Sequence, residues 1–218
     1  MIELVLDDNG AIEIGDCSPD STLQELVDAV GAWITGHGAC RGCTRCCRDV
    51  IPLNGIEVRN LKVSPRDVSM AERLPYLRLP ERPDLQRRRT GIRDLRETFG
   101  VPTRTATALY EYNNADPVCI AKADSGDCLF IREGLCAQYA VRPLVCRLYH
   151  CRLGEKLSAL NEAIIGQGVW HSYCALGWID EKEIAHNPFV GASDYQRIRL
   201  DAFDRDFEDL VAQASYLL

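Results

Sequence analysis

The stretch GACRGCTRCCRDV, residues 38–50, places four cysteines within eight positions, and this density of thiols is the strongest constraint on the fold. Cys40, Cys43 and Cys46 repeat a three-residue step, and Cys47 follows Cys46 directly. A loop with this step can place three thiolates around one corner of an iron–sulfur cluster, and a fourth ligand then comes from elsewhere. Zinc sites more often use two separated Cys-x2-Cys knuckles. The spacing therefore favours an iron–sulfur cluster and leaves zinc open.

The rest of the chain predicts a setting in which these cysteines bind metal. The start, MIELVLDDNGAIEIGD, has no basic n-region and no long apolar run, so we expect no signal peptide. No segment approaches the roughly 18 apolar residues of a membrane span. We therefore expect a reducing cytoplasm, where dense cysteines indicate metal or redox chemistry more than disulfides. The odd count of 11 cysteines agrees, and disulfides remain the minority alternative.

Charge is distributed unevenly along the chain. The net charge is −7, yet residues 1–40 contain no Lys or Arg, and residues 41–104 are rich in arginine. The run Arg87, Arg88 and Arg89 could contact nucleic acid or an acidic partner, but such a run is more often a solvated helix face. The overall acidity argues against a dedicated nucleic-acid binder.

Hydrophobic patterning predicts a single domain over 1–218, of the α+β class and mostly helical, with a small cysteine-rich core organised by metal. A β-hairpin turns at Asn9-Gly10, and an amphipathic helix then starts near Ser18-Pro19. The expected regions are an N-terminal hairpin and helix at 1–39, a metal-binding region at 40–175 with a basic insertion at about 54–118, and a C-terminal extension at 176–218. That extension is predicted to hold an amphipathic helix with a capping-box pattern at Ser193 and Gln196.

Eight cysteines form the predicted ligand set, because eight thiols make two four-ligand sites. The set is Cys40, Cys43, Cys46, Cys47, Cys128, Cys136, Cys146 and Cys174. Adjacent residues cannot easily turn both thiolates onto one metal, so Cys47 is assigned to a second centre. We group the first three with Cys146, and Cys47 with Cys128, Cys136 and Cys174. A turn at Glu133-Gly134 would bring Cys128 near Cys136.

Two blocks of sequence carry a resemblance to a known family. CRGCTRCC, followed by DCLFIREGLCAQYAVRPLVCRLY, resembles the bacterial CxxCxxCC family, also labelled YkgJ-like, whose members are described as zinc- or iron-chelating domains. The resemblance covers roughly residues 38–175, and Cys174 resembles the last cysteine of the family. It implies metal binding and no particular reaction. Beside these motifs, Arg142-Pro143 can form a rigid turn that aims Cys146, and Arg147 can offset thiolate charge.

The remaining candidates are weaker. Cys17 and Cys119 are expected to be buried apolar residues or free thiols, and Cys151 also lies outside the family set. His150 and His171 stand near cysteines, but ligation is the less favoured interpretation. The sequence contains no phosphate loop, dinucleotide fingerprint, nucleophile elbow or H-E-x-x-H motif, so we name no catalytic residue.

Three hypotheses follow for the function. The first is an iron–sulfur protein that holds one or two cysteine-ligated centres, with 4Fe-4S as the expected cluster, and that passes electrons to a partner enzyme or helps to mature it. The second is a zinc-stabilised module whose basic insertion docks a protein partner. The third is an enzyme that uses a cluster catalytically, which requires one iron with an incomplete set of protein ligands.

Overall fold

The computed structural model describes residues 2–37, 45–62, 68–114, 116–149 and 151–203. Its helices are α1 (Leu23–Gly36), α2 (Gly55–Asn60), α3 (Met70–Arg73), α4 (Leu85–Phe99), α5 (Thr103–Asn113), α6 (Leu144–Leu148) and α7 (Glu155–Ala175). Its strands are β1 (Ile2–Leu6), β2 (Ile12–Cys17), β3 (Leu77–Arg78), β4 (Cys119–Ile120), β5 (Ile131–Arg132) and β6 (Leu135–Cys136). They pair in three antiparallel two-stranded sheets, β1 with β2, β3 with β4 and β5 with β6. The predicted class, mostly helical α+β, is confirmed.

The N-terminal hairpin forms where the sequence predicts it. Asp7 Oδ1 accepts hydrogen bonds from the backbone N–H groups of Asn9 and Ala11, both at 2.8 Å, which closes the loop between β1 and β2. Gly10 has a φ of +75°, a backbone conformation that glycine adopts without steric cost. A short polar segment thus defines this turn from local interactions alone.

Helix α1 begins later than the sequence prediction. Thr22 is its N-cap and forms a reciprocal capping box with Glu25. The predicted start at Ser18-Pro19 is wrong, because these residues lie in a turn in which the Ser21 N–H donates to the Ser18 carbonyl. The helix is amphipathic as predicted, and its apolar face is buried in full: it consists of Leu23, Leu26, Val27, Val30 and Ile34.

Helix α7 is the central element, and its two halves pack into two hydrophobic clusters. Leu157, Leu160 and Ile164 in its first half belong to a cluster with the hairpin, α1 and α6. Trp170 and Tyr173 in its second half belong to a cluster with α2, β4 and the segment around residue 130. Burial on most sides explains why α7 lacks a polar face along much of its length. The helix therefore joins the N-terminal unit to the region that contains most of the described cysteines.

The basic insertion folds as α4 packed against α5. Arg88 is 4% exposed, so the prediction that it lies on a solvated face is wrong. Its guanidinium donates from Nε and Nη2 to Glu111 Oε1, at 3.2 and 2.5 Å, and lies 5.2 Å from the centre of the Trp170 ring. The neighbouring Arg89 is exposed and pairs with Glu183 at 2.6 Å. One arginine of the run is thus part of the core.

Gly91 of α4 lies close against Tyr110 of α5. A Cβ built at this position would lie 2.2 Å from Cε2 of the Tyr110 ring, which is itself buried. We expect Gly91→Ala to destabilise the protein by about 1–3 kcal/mol, because overpacking outweighs the helix propensity of alanine. Chemical denaturation measures the change.

Gly31 provides the matched control, since it lies inside α1 with nothing within 4 Å of a built Cβ. Gly31→Ala should stabilise the protein by roughly 0.5–1 kcal/mol. If both substitutions stabilise to a similar extent, the tight packing between α4 and α5 is contradicted.

The predicted C-terminal helix does not begin at Ser193. Tyr195–Arg197 and Leu200–Ala202 form short 3-10 turns, and the Asp194 side chain, not Ser193, accepts a hydrogen bond from the Gln196 N–H. Ile198 and Phe203 are buried. The Leu23 N–H donates to the Ile198 carbonyl and the Leu200 N–H to the Ser21 carbonyl, so tertiary contacts fix an extended path here. The rest of the predicted helix, 204–218, lies outside the described residues.

Candidate metal centre

The structure describes only part of the predicted ligand set. Cys40 and Cys43, and the side chain of Cys46, lie outside the described residues. Cys47, Cys128, Cys136, Cys146 and Cys174 are described. Of these, Cys128, Cys136 and Cys174 are free thiols, as are Cys119 and Cys151.

Cys47 lies at the end of the four-cysteine motif, on a 3-10 turn formed by Arg45–Arg48. It is half-buried against the cluster that contains Trp170. Its carbonyl accepts hydrogen bonds from the Cys128 N–H and from Lys122 Nζ, both at 3.0 Å. The next residue, Arg48, pairs with Asp127 at 3.1 Å. The loop at 122–128 therefore holds the end of the motif through its backbone.

Cys128 and Cys136 are connected by the hairpin of β5 and β6. Glu133 and Gly134 both have positive φ, at 51° and 77°, as the predicted turn requires. Cys128 is 5% exposed, and burial raises the pKa of its thiol, with a further increase from the nearby Cys136. This interaction between the two thiols agrees with the prediction that the turn brings Cys128 near Cys136.

Cys146 lies on the short helix α6, whose start is defined by Arg142-Pro143. Arg142 is extended, the conformation that a following proline favours, and Pro143 is the N-cap. The Arg142 guanidinium stacks on the Tyr139 ring at 4.2 Å, and Arg147 lies 3.7 Å from Asp28. The predicted turn is present. The described contacts of the two arginines are with a ring and a carboxylate, so their role beside thiolates stays a prediction.

Glu57 connects α6 to the rest of the fold. Its carboxylate accepts hydrogen bonds from the Leu144 N–H at the start of α6, from Tyr195 Oη–H at 2.9 Å and from the Asn54 N–H at 3.1 Å. Burial raises the pKa of Glu57 to about 7, although these donors and Arg147 act in the opposite direction. Sequence analysis missed this residue, but the Asn54-x-x-Glu57 capping-box pattern was a usable signal.

The buried carboxyl of Glu57 predicts a specific pH dependence of stability. Its pKa in the folded protein lies above the value of 4.5 for an unperturbed glutamate, so the folded state binds its proton more tightly. The contribution of the protonated Glu57 carboxyl to the free energy of unfolding is complete below about pH 4.5, and it is lost as pH rises towards 7. We expect a loss on the order of 2–3 kcal/mol from this group over that window.

Urea denaturation at a series of pH values, with wild type and Glu57→Gln compared, measures this contribution. Glutamine keeps an acceptor for Leu144 and Tyr195 but cannot ionise, so the difference between the two curves should change across pH 4.5–7. Parallel curves would contradict the raised pKa.

Cys174 lies in the last turn of α7, in a setting different from that of Cys128. Burial raises the pKa of its thiol to about 12, and Glu181 adds to the shift while Arg59 opposes it. One turn earlier, His171 is fully buried, and its Nε2 accepts a hydrogen bond from Arg59 at 3.0 Å. Burial lowers the pKa of His171 to about 4, so the ring is neutral and its Nε2 is engaged. The other ring nitrogen, Nδ1, is buried and has no hydrogen-bond partner. That ligation by His171 is the less favoured interpretation stays a prediction, and His150 lies outside the described residues.

The cysteines outside the predicted set have different environments. Cys119 is 2% exposed on β4, and its thiol donates to the Pro117 carbonyl at 3.3 Å, so the expectation of a buried free thiol is confirmed. Cys17 is half-buried against the cluster around α1. Cys151 is exposed.

Among the described residues, no group of three or more His, Cys, Asp or Glu side chains is placed to hold a metal ion. The donor chemistry nevertheless suits zinc or iron. The buried thiol of Cys128 and the partly buried thiol of Cys174 both have raised pKa values, so they lose their protons readily only when a cation compensates the thiolate charge. The division of the eight cysteines into two sites stays a prediction, because three of its members are not described.

A mostly helical α+β chain with unpaired thiols and a four-cysteine motif has the features of a cysteine-ligated metal protein. The family model named CxxCxxCC, described as "Putative zinc- or iron-chelating domain", matches residues 39–163, which is more than half of the chain, and the protein belongs to this family. None of the curated proteins and none of the solved structures compared with the chain matches it. The match covers most of the predicted extent of roughly 38–175 and ends before Cys174, so the resemblance of Cys174 to the last cysteine of the family stays a prediction.

Family membership makes the protein a metal-binding domain of the zinc- or iron-chelating type. No helix in the described ranges is long and apolar enough to cross a membrane.

Proposed function

We propose that the protein binds an iron–sulfur cluster through Cys40, Cys43, Cys46 and Cys146. The observation that carries this proposal is the three-residue step of the motif, which suits three ligands of one cluster. The rigid Arg142-Pro143 turn and the Glu57 hydrogen bond to α6 support it, because they hold the helix that provides the remote fourth ligand.

The second predicted group, with Cys47, Cys128, Cys136 and Cys174, is proposed to hold a second metal. Adjacent positions on a 3-10 turn are separated by about 120° around the axis, which favours different partners for neighbouring cysteines. The backbone hydrogen bond between Cys47 and Cys128, and the interaction of Cys128 with Cys136, support a common site for these three. For Cys174, the fourth proposed member, the charged groups that act on the thiol are Arg59 and the carboxylates of Glu181, Asp180 and Glu111.

The proposed role is electron transfer to a partner enzyme, or assistance in its maturation, in a reducing cytoplasm. A second candidate is a zinc-stabilised interaction module. The exposed arginines of α4 favour it, because Arg87, Arg93 and Arg96 project from a helix that is otherwise anchored by buried Arg88.

One experiment distinguishes the iron–sulfur protein from the zinc-stabilised module. The protein is purified anaerobically, and its metal content, its acid-labile sulfide and its visible absorption spectrum are measured on the same sample. Iron with matching sulfide and a broad brown absorbance supports the cluster. Zinc at one or two per chain, without sulfide or colour, would replace the proposal with the zinc module.

A further inference from the structure

Three exposed apolar side chains lie close together in the segment that leads from β6 to α6. Leu135, Tyr139 and Val141 are 61%, 52% and 59% exposed, and all three fall between positions 135 and 141. Single exposed apolar residues are ordinary on protein surfaces, but a group of large ones indicates an interaction site. We call this group the 135–141 surface.

The backbone beneath the 135–141 surface is held by hydrogen bonds. The Ala137 N–H donates to the Phe130 carbonyl at 2.8 Å, and the Val141 N–H donates to the Gln138 carbonyl at 2.9 Å. Nε2 of Gln138 donates to the Lys62 carbonyl at 2.8 Å, which connects the segment to the chain just after α2. The exposed side chains therefore extend from an ordered backbone, and little conformational entropy is lost when a partner covers them.

The two ends of the 135–141 surface carry charges of opposite sign. Glu133 is exposed at the tip of the β5–β6 hairpin, and the Arg142 guanidinium lies over the Tyr139 ring at 4.2 Å. Among the charged groups that the structure describes, no base pairs with Glu133 and no carboxylate pairs with Arg142. Arg132, beside Glu133, donates from Nη1 to two nearby backbone carbonyls instead. The surface is therefore complementary to a copy of itself turned end for end.

We propose that the 135–141 surface is the contact between two copies of this chain related by a two-fold axis. Such an axis joins identical surfaces in opposite directions, so Glu133 of each copy faces Arg142 of the other. The three apolar side chains then form the centre of the contact. A purely acidic or purely basic partner would pair with only one of the two charges, whereas a second copy pairs with both.

The proposal goes beyond the metal assignment, because its side chains lie outside the predicted cysteine ligand set. Sedimentation velocity of the full chain, purified anaerobically and measured from about 1 to 300 µM, tests it. We expect monomer at the low end and dimer at the high end, the range of small, transient interfaces. No species larger than a dimer should form, because a two-fold contact closes on itself.

Apolar-to-charged variants locate the contact. Leu135→Asp places a carboxylate at the apolar centre and should weaken the dimer at least about tenfold, because the charge loses its water without gaining a partner. Leu6→Asp is the matched control, since Leu6 is 55% exposed at the end of β1, outside the 135–141 surface. It should leave the dimer unchanged.

Charge reversal tests the two-fold arrangement. Glu133→Arg and Arg142→Glu should each weaken their own dimer about tenfold, because like charges then meet at both ends of the contact. An equimolar mixture of the two variants should regain the dimer. In that mixed pair the two introduced charges have opposite signs, and the remaining native Glu133 and Arg142 still face each other.

Four results would overturn the proposal: monomer at every concentration, assembly beyond the dimer, an unchanged dimer in Leu135→Asp, or no recovery in the mixture of charge variants. Val141→Asp replaces Leu135→Asp if that variant fails to fold. Metal and sulfide content measured on the same samples tests the cluster assignment separately, so the failure of one proposal is distinguishable from the failure of the other.

Discussion

Replacement of Cys43 by alanine is expected to remove at least one complete metal centre. Cys43 is the middle residue of the three-residue step, and three consecutive ligands from one loop leave no substitute at that corner of a cluster. Metal and sulfide per chain, measured after anaerobic purification, should therefore fall by the full content of that centre. A structural metal also contributes folding free energy, so the variant should denature more readily than wild type.

Cys17→Ala and Cys119→Ala are the matched controls for this experiment. Cys119 is buried on β4, and Cys17 packs against the hydrophobic cluster around α1. Neither belongs to the predicted ligand set, so both variants should keep the metal content of wild type. Unchanged metal content in Cys43→Ala would disprove the cysteine constellation itself.

The buried ion pair between Arg88 and Glu111 should be the largest single contribution of α4 to stability. The two side chains are 5% and 1% exposed, and Trp170 donates from Nε1 to the Glu111 carbonyl at 2.9 Å. Arg88→Met leaves Glu111 buried without its partner, and we expect a loss of about 3–5 kcal/mol in the free energy of unfolding. On its other side, Glu111 Oε2 lies 3.4 Å from Nε2 of His186.

Arg89→Met is the control, since Arg89 is the next residue and its pair with Glu183 is largely exposed. That substitution should cost no more than about 1 kcal/mol. Urea denaturation of both variants gives the comparison. Similar losses for the two would show that Arg88 is not buried against Glu111 in the folded protein.

Several parts of the fold were predictable because short-range interactions determine them. The hairpin at Asn9-Gly10, the apolar face of α1 and the turn at Glu133-Gly134 each depend on residues close together in sequence. Helix ends were less predictable. Ser18-Pro19 resembles a helix start, yet the reciprocal capping box of Thr22 and Glu25 defines the start of α1.

The candidate site was likewise predictable only where its features depend on residues that are close together in the sequence. The spacing of the cysteine motif and the two matching blocks were sufficient to predict membership of a metal-binding family. The role of Glu57 was not predicted, because its hydrogen bonds join α2 to α6 and to Tyr195, which lie 87 and 138 residues further along the chain. Its pattern with Asn54 indicated a helix cap but not these long-range contacts.

The sequence by itself determined the cysteine motif that is typical of the metal-chelating family, the mostly helical class and the local turns. Each of these depends on residue type and on short spacing. Only the tertiary structure decided that Arg88 is buried, and that Tyr195–Arg197 and Leu200–Ala202 form short 3-10 turns where the start of an amphipathic helix was predicted. The physical reason is that burial depends on what distant segments place against a residue. A charged side chain enters a core only where a partner such as Glu111 compensates its desolvation.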